Sequence, residues 1–464
     1  MGSKALLRKS SERGAAGRVL RVASALLGAC AGLASCATYS SWPLPTRNDL
    51  AHSVSARGVR PLGMNAVATL AVINNPGLRA ARAKLHVAQA QAFAAGLLPD
   101  PQLSFSRDYV MDHVVSRSDP RYPEFNAWGL GLSIDLQALL THASRKAVGE
   151  ASLDQSRLEL LWQEWQTVAQ ARTLYVQQSL AGERTAFLGR AERVYARAYA
   201  RSQRALAAGN LTLEQTSADQ SVLLNGRAQL GAAERSLTQA QQGLRTLLGV
   251  APEVTLPLRP LARPALLDRA VVRDAARRIA STRPDLLALK EGYRAQEERV
   301  RVAILSQFPN FNLGITRARD VSDVHTTGFG VSMTLPVFSR GRGPIAIQRA
   351  TRGQLRAEYQ ARLDQAEGQI WQLWDEIGEL DGERRALEGE LPGLQAAVAS
   401  AERAYEQGDY SAASYLTLVD SYLAAEAARA DVLQNMWTDS IALATVLGIE
   451  VQPAVPAAQL ARRG

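Results

Sequence analysis

The chain has 464 residues, of which 47% are hydrophobic and 21% charged, with a formal net charge of +9 and two cysteines. Lys4, Arg8, Lys9, Arg13, Arg18 and Arg21, set against Glu12 alone, place +5 of that charge in the first 35 residues. The remaining +4 gives no case for a nucleic-acid binder. Two cysteines also exclude a disulfide framework, so the body of the protein must be held by packing.

The basic start is followed by an apolar stretch from Val22 to Ser35, too short for a spanning helix, which needs about 20 apolar residues. Residues 1–35 are therefore predicted to be a secretory signal. Leu33-Ala34-Ser35-Cys36 resembles a bacterial lipoprotein signal, in which cleavage before Cys36 exposes an N-terminal thiol for acylation. Leu27-Gly28-Ala29-Cys30 is a second, poorer candidate, because cleavage there leaves a very short apolar region. An acylated segment, residues 36–63, then leads into the body. The covalent lipid is the only non-protein group the sequence calls for, and it leaves no thiol for a metal site.

The body reads as one unit followed by a second copy, residues 64–265 and 266–449, with a tail at 450–464. Asn75-Pro76-Gly77-Leu78 opens a helix that ends near Leu97-Leu98-Pro99-Asp100-Pro101, and Arg283-Pro284-Asp285-Leu286 opens another that ends near Phe308-Pro309. Trp128-Gly129-Leu130 matches Phe329-Gly330-Val331, while Gly209 and Gly249 match Gly408 and Gly448. All three pairs fall in order with offsets of about 200 residues, which points to internal duplication.

After each helix the pattern switches from helical period to alternation, predicting one hairpin at about 101–137 and another at about 309–338. Leu103, Phe105, Trp128, Leu130, Leu132, Ile134 and Leu136 alternate with Gln102, Ser104, Ser106, Gly129, Gly131, Ser133 and Asp135. Phe311, Leu313, Ile315, Phe329, Val331, Met333 and Leu335 alternate with Asn312, Gly314, Thr316, Gly330, Ser332 and Thr334. Alternation alone fits a half-buried antiparallel sheet lying on helices. The small, uncharged second face also fits strands of about 9–11 residues crossing a membrane around a wet lumen. Four strands cannot close a barrel, whose practical minimum is about eight, so closure would take a dimer or a trimer.

Long helical hairpins follow, at about 141–249 and 344–448. No proline interrupts Thr141 to Ala208, which allows a helix of roughly 100 Å. Leu153, Leu160, Leu174, Leu188 and Tyr195 share one heptad register, with Thr167 and Ala181 in the gaps. In the second half Leu363, Ile370, Ile377, Leu391, Val398 and Tyr405 form one row and Leu373, Leu380, Leu387 and Leu394 the other. Arg384 interrupts the first row, and Pro392 is expected to bend the helix. Gly209-Asn210-Leu211-Thr212 and Gly408-Asp409-Tyr410-Ser411 each place a helix-stopping glycine three residues before a capping hydroxyl.

This order of elements resembles the TolC-type outer membrane factors of Gram-negative bacteria, lipoprotein subgroup. The likeness is carried by Ala95-Gly96-Leu97-Leu98-Pro99-Asp100-Pro101 before the first strand, Thr334-Leu335-Pro336-Val337-Phe338 after the fourth, and Tyr405-Glu406-Gln407-Gly408 at the second tip. The resemblance implies a mainly α fold with a transmembrane β part: a homotrimer whose twelve strands form one outer membrane barrel and whose helices form a periplasmic tunnel. It implies a passive duct in a tripartite efflux or export system. The partners would be a periplasmic membrane-fusion adaptor and an inner membrane pump of the resistance-nodulation-division type. On family position, adaptor contacts fall at Gly209, Leu211, Thr212, Gly408, Tyr410 and Ser411. Where some members place gate aspartates, this chain has Ser414 and Thr417, with Asp409 and Asp420 nearby; these four are the tunnel-gate candidates. Ala37 after Cys36 fits outer membrane sorting.

Enzymatic readings find little support. His52, His86, His113, His142 and His325 are scattered without metal-ligand spacing, and Gly341-Arg342-Gly343 lacks the context of a phosphate loop. Trp162, Trp165, Trp371, Trp374 and Trp437 read as seam or core residues. The competing class is a lipid-anchored periplasmic coiled-coil scaffold without a pore.

Overall fold

A computed structural model describes residues 39–52, 61–109, 126–338 and 340–451. Cys30, Cys36, His113 and the tail beyond residue 451 lie outside the described residues. The chain divides into two units, Met1–Asp49 and Leu50–Gly464. The described part of the first, residues 39–49, holds no helix or strand. The second carries every element named below.

The elements run α1 (Met64–Asn74), α2 (Pro76–Ala95), β1 (Gln102–Asp108), β2 (Ala127–Asp135), α3 (Leu136–Ala207) and α4 (Leu213–Leu247). They continue with α5 (Arg269–Ala276), α6 (Ile279–Thr282), α7 (Pro284–Leu305), β3 (Asn310–Arg319), β4 (His325–Thr334), α8 (Arg342–Gln407) and α9 (Ala412–Leu447). The fold is mainly helical with one small antiparallel sheet. Leu136 and Leu335 continue the apolar alternation without belonging to a strand. Leu136 is already the first residue of α3, because Asp135 caps that helix by accepting from the Ala138 amide at 3.0 Å.

The 72-residue α3 is the hub, packing against α1, α2, α4, α7 and α9. Small side chains dominate its buried set, including Ala151, Thr167, Ala171, Ala191, Ala198 and Ser202, so neighbouring backbones approach closely. Among its predicted heptad positions Thr167, Leu188 and Tyr195 are buried. In α8 the first row is buried at Ile370, Ile377 and Leu391, and Arg384 is buried with it. That cation is tolerated because Asp381 accepts from it at 2.7 Å and Glu388 forms a second, short contact. The 66-residue α8 continues through Pro392 without interruption.

Short helices are spliced into longer walls by the motifs noted in the sequence. Asn75 caps α2, accepting from Leu78 N at 2.9 Å, and its amide donates to Leu247 O, the last carbonyl of α4, at 2.8 Å. One side chain thus satisfies orphan groups of two helix ends. In the second half Arg283 stands at the corresponding position, buried, bonded to Asp285 at 2.7 Å and 5.2 Å from the Trp162 ring. Buried clusters at these splices contain Val67, Ala71, Tyr175, Leu244 and Leu248 on one side, and Leu286, Ile370, Leu443 and Leu447 on the other. Trp437 is fully buried, as a seam residue should be, and its indole donates to Ala262 O at 2.8 Å.

Candidate functional site: a two-faced sheet and two helical tips

The four strands form one sheet in the order β1-β2-β3-β4, every pairing antiparallel. Pairing of β2 with β3 joins the two hairpins across the whole intervening chain, with Asp135 opposite Asn312. The register aligns the apolar alternates into rows: Leu103, Leu132, Ile315 and Phe329 form one, and Ile134, Leu313 and Val331 the next. The opposite face presents Ser104, Gly131, Thr316 and Gly328 in a row, with Ser133, Gly314 and Gly330 in neighbouring positions. Among the described residues no helix covers the apolar rows: Leu103 is 72% exposed, Phe329 70% and Ile315 58%. A half-buried sheet lying on helices is therefore not what forms. Among the described residues β3 touches α3 beside the β2–α3 junction, and β1 and β4 have one unpaired edge each.

At the far ends of α3 and α8 the chain reverses through Gly209 (φ +74°) and Gly408 (φ +90°), both in the left-handed region that other residues adopt at a cost. Thr212 caps α4 and forms a reciprocal capping box with Gln215. Ser411 caps α9, accepting from Ser414 N at 3.1 Å and donating to Ser414 Oγ at 2.8 Å. The turns are exposed, and Leu213 and Tyr410 stand out of them as apolar surface. Asp409 is exposed, and its amide donates to Ala404 O at 2.9 Å. Thr417 returns its hydroxyl to Ala413 O at 2.8 Å on its own helix.

Behind the tips, polar links tie α3 to the second helical hairpin. The Tyr195 hydroxyl donates to Asp420 in a short hydrogen bond. Burial, and after it that carboxylate, raises the Tyr195 phenol pKa well above its ordinary value, so it remains a donor. Arg201 lies 4.8 Å over the Tyr405 ring and donates at 3.3 Å to the Tyr405 and Glu406 carbonyls near the end of α8. Those carbonyls belong to the negative pole of the helix. Tyr405 stacks on Tyr415 at 5.2 Å, and burial pushes the Tyr415 phenol up to about 12. Of the residues singled out in the sequence, this brings together Tyr195 with Asp420, while Ser414 stays with Ser411. The sequence reading missed the pairing across 225 positions; its one trace was an aromatic hydroxyl in a leucine row.

Among the described residues no group of three or more His, Cys, Asp and Glu is placed to hold a metal, and no helix is long and apolar enough to cross a membrane.

Comparison with known proteins agrees with this architecture. The family model described as "Outer membrane efflux protein" matches residues 67–250 and 275–449. The probable outer membrane lipoprotein SilC of Salmonella typhimurium is 24% identical over 409 residues, covering 82% of this chain and 84% of its own. The pyoverdine export outer membrane protein OpmQ of Pseudomonas putida is 24% identical over 398 residues, covering 81% and 83%. The crystal structure of the CmeC outer membrane channel of Campylobacter jejuni superposes with a TM-score of 0.71 at 16% identity, over 92% of this chain and 97% of that one. With strands, tips and helical walls in that arrangement, and the family model matched over most of its length, the chain belongs to the outer membrane efflux protein family.

Proposed function

We propose that three copies of the chain build one outer membrane duct of a tripartite efflux system, each lending its four strands to a single twelve-stranded barrel. The observation that carries this is the sheet, with a continuous apolar face left exposed and a small, polar face opposite. That division suits lipid on one side and water on the other. An open edge is untenable in hydrocarbon, where each unsatisfied backbone group is several kcal/mol unfavourable. Because the strand order is sequential and antiparallel, β4 of one copy meets β1 of the next antiparallel as well, so a ring of copies removes both edges. Three copies rather than two follow the arrangement of the family. Supporting an origin by duplication, the strand pair and long helical hairpin occur twice in the element order.

In this reading the helical walls form the periplasmic tunnel, and Gln220, Gln229, Gln239 and Gln242, all exposed on α4, suit a wetted surface. The exposed turns at Gly209, Leu211, Thr212, Gly408, Tyr410 and Ser411 are the surface for the periplasmic adaptor, which joins the duct to an inner membrane pump of the resistance-nodulation-division type. Asp409, Ser414, Thr417 and Asp420 lie where the tunnel would narrow. Acylated Cys36 adds an anchor. The duct is passive, and its cargo is a small solute, the class to which the pyoverdine of one relative's name belongs.

The test is single-channel conductance of detergent-extracted protein in planar bilayers, with oligomeric mass measured on the same sample. Stable conductance from a trimer is the expected result. A monomer that stays silent even with its tip residues substituted would sink the duct and favour a lipid-anchored scaffold.

A further inference from the structure

The exposed apolar face of the sheet changes character at the end away from the helices. Its rows begin with Phe311 and Met333, then Ile134, Leu313 and Val331, then Leu103, Leu132, Ile315 and Phe329. Next comes Phe105, Leu130, Arg317 and Thr327, and last Arg107, Trp128, Arg319 and His325. At ~3.4 Å per residue, Phe311 and Arg319 stand ~27 Å apart along β3. That is close to the ~25 Å apolar band of an outer membrane strand, so the cationic rows fall at its rim.

Within these rows Arg319 is paired with Asp323 at 2.6 Å, and His325 lies 3.7 Å from the same carboxylate. The Arg107 guanidinium lies 5.2 Å over the Tyr109 ring, and the Trp128 ring meets His325 edge-on at 6.4 Å. Asp108, the acid next in sequence to Arg107, points to the other face by alternation. Among the described residues Arg107 lies over the Tyr109 ring, and neither it nor Arg317 forms an ion pair with a carboxylate. They stand two strand spacings and one row apart, ~12 Å between Cα atoms, with Trp128 and Leu130 of β2 in between. Two arginine side chains close such a gap onto one tetrahedral oxyanion, which a guanidinium binds through paired N–H donors.

Arginine is unfavourable at the centre of a lipid-facing surface and tolerated at its edge, where aromatic rings also collect. Charge alone would accept any phosphate. What discriminates is continuity, because the cationic rows run directly into three apolar rows on the same face, which suits a ligand carrying both a phosphate and acyl chains. We propose that Arg107 and Arg317 seat the phosphate of an anionic glycolipid of the outer leaflet, with its acyl chains lying down the apolar rows. This rests on the reading of the sheet as membrane-spanning.

The test uses the full chain purified in a zwitterionic detergent and titrated with bisphosphorylated lipid A, the retained lipid being counted by native mass spectrometry. Phosphatidylcholine and inorganic phosphate are the comparison probes. At roughly one tenfold step per 1.4 kcal/mol and about 1 kcal/mol per headgroup arginine, R107Q/R317Q should retain lipid A ~30-fold more weakly and each single variant ~5-fold. R107K/R317K should keep most of the affinity, and R403Q, on an exposed face of α8, all of it. The single variants carry the test if the double one fails to assemble. Unchanged retention in the glutamine variants, or equal retention of lipid A and phosphatidylcholine, would overturn the proposal. Saturation by inorganic phosphate at equal concentration would do so as well, leaving a free-anion site. Failure of the spanning reading looks different: the unsubstituted protein would itself be non-conducting and would not shift on heating before electrophoresis.

Discussion

At the residue scale, much depends on single side chains that satisfy two partners. Asn75 caps α2 and binds the last carbonyl of α4, so Asn75→Ala should cost about 1–2 kcal/mol, and differential scanning calorimetry of the detergent-solubilised protein checks it. Tyr195 is pinned between Asp420 and Gly226, where an added Cβ would lie 2.5 Å from the Tyr195 ring. Gly226→Ala must displace that ring, and Tyr195→Phe removes the same hydrogen bond. Each should destabilise by about 1–3 kcal/mol, and the double variant by no more than the worse single one. Fully additive thermal shifts would break this account. Asp439 offers a test in pH: burial, and after it Glu376, raises its carboxyl above the ordinary 3.8. The folded state then holds its proton longer than the unfolded one, so stability is lost as pH rises above that value. Asp439→Asn should raise the thermal midpoint at pH 7 and leave it nearly unchanged at pH 3.

At the element scale, α8 carries an irregularity that its heptads alone would not keep. Arg384 interrupts an apolar row yet is buried, because Asp381 and Glu388 on the same helix neutralise it. Arg384→Ala leaves the buried Asp381 with only the exposed Arg385 as partner, at 3.1 Å, and should cost about 2 kcal/mol, whereas R384M/D381L should recover most of that loss. Denaturant titration of both variants distinguishes a lost ion pair from lost packing. The strands are governed differently. Their alternation is regular, but among the described residues β1 and β4 keep free edges, and an apolar sheet with free edges invites pairing with another chain. Strand and helix meet without a linker at Asp135, which ends β2 and caps α3.

At the scale of the whole molecule, the proposed duct would have two separate holds on the membrane, its sheet and an acyl group on Cys36. If the sheet spans the bilayer, Cys36→Ser should remain in the membrane fraction after carbonate extraction. Its release as soluble protein would mean that the lipid is the only anchor. If the tips meet the adaptor as proposed, then with α4 and α9 capped at these turns, substitutions at Leu211 and Tyr410 should abolish adaptor capture and leave conductance intact.

Periodicity in the sequence was enough to establish the kinds of element and their faces. Two-residue alternation marked Leu103 to Ile134 and Phe311 to Met333 as apolar on one side, and glycines at 209 and 408 marked the ends of the long helices, because those signals are local. It also carried the resemblance to the family whose model the chain matches. Tertiary structure alone decided the partners. That β2 pairs with β3, that Tyr195 meets Asp420, that Asn75 reaches Leu247 and that the apolar rows stay exposed among the described residues all depend on contacts between distant stretches. A residue pattern specifies which face seeks burial, whereas what that face meets is set by the packing of the whole chain.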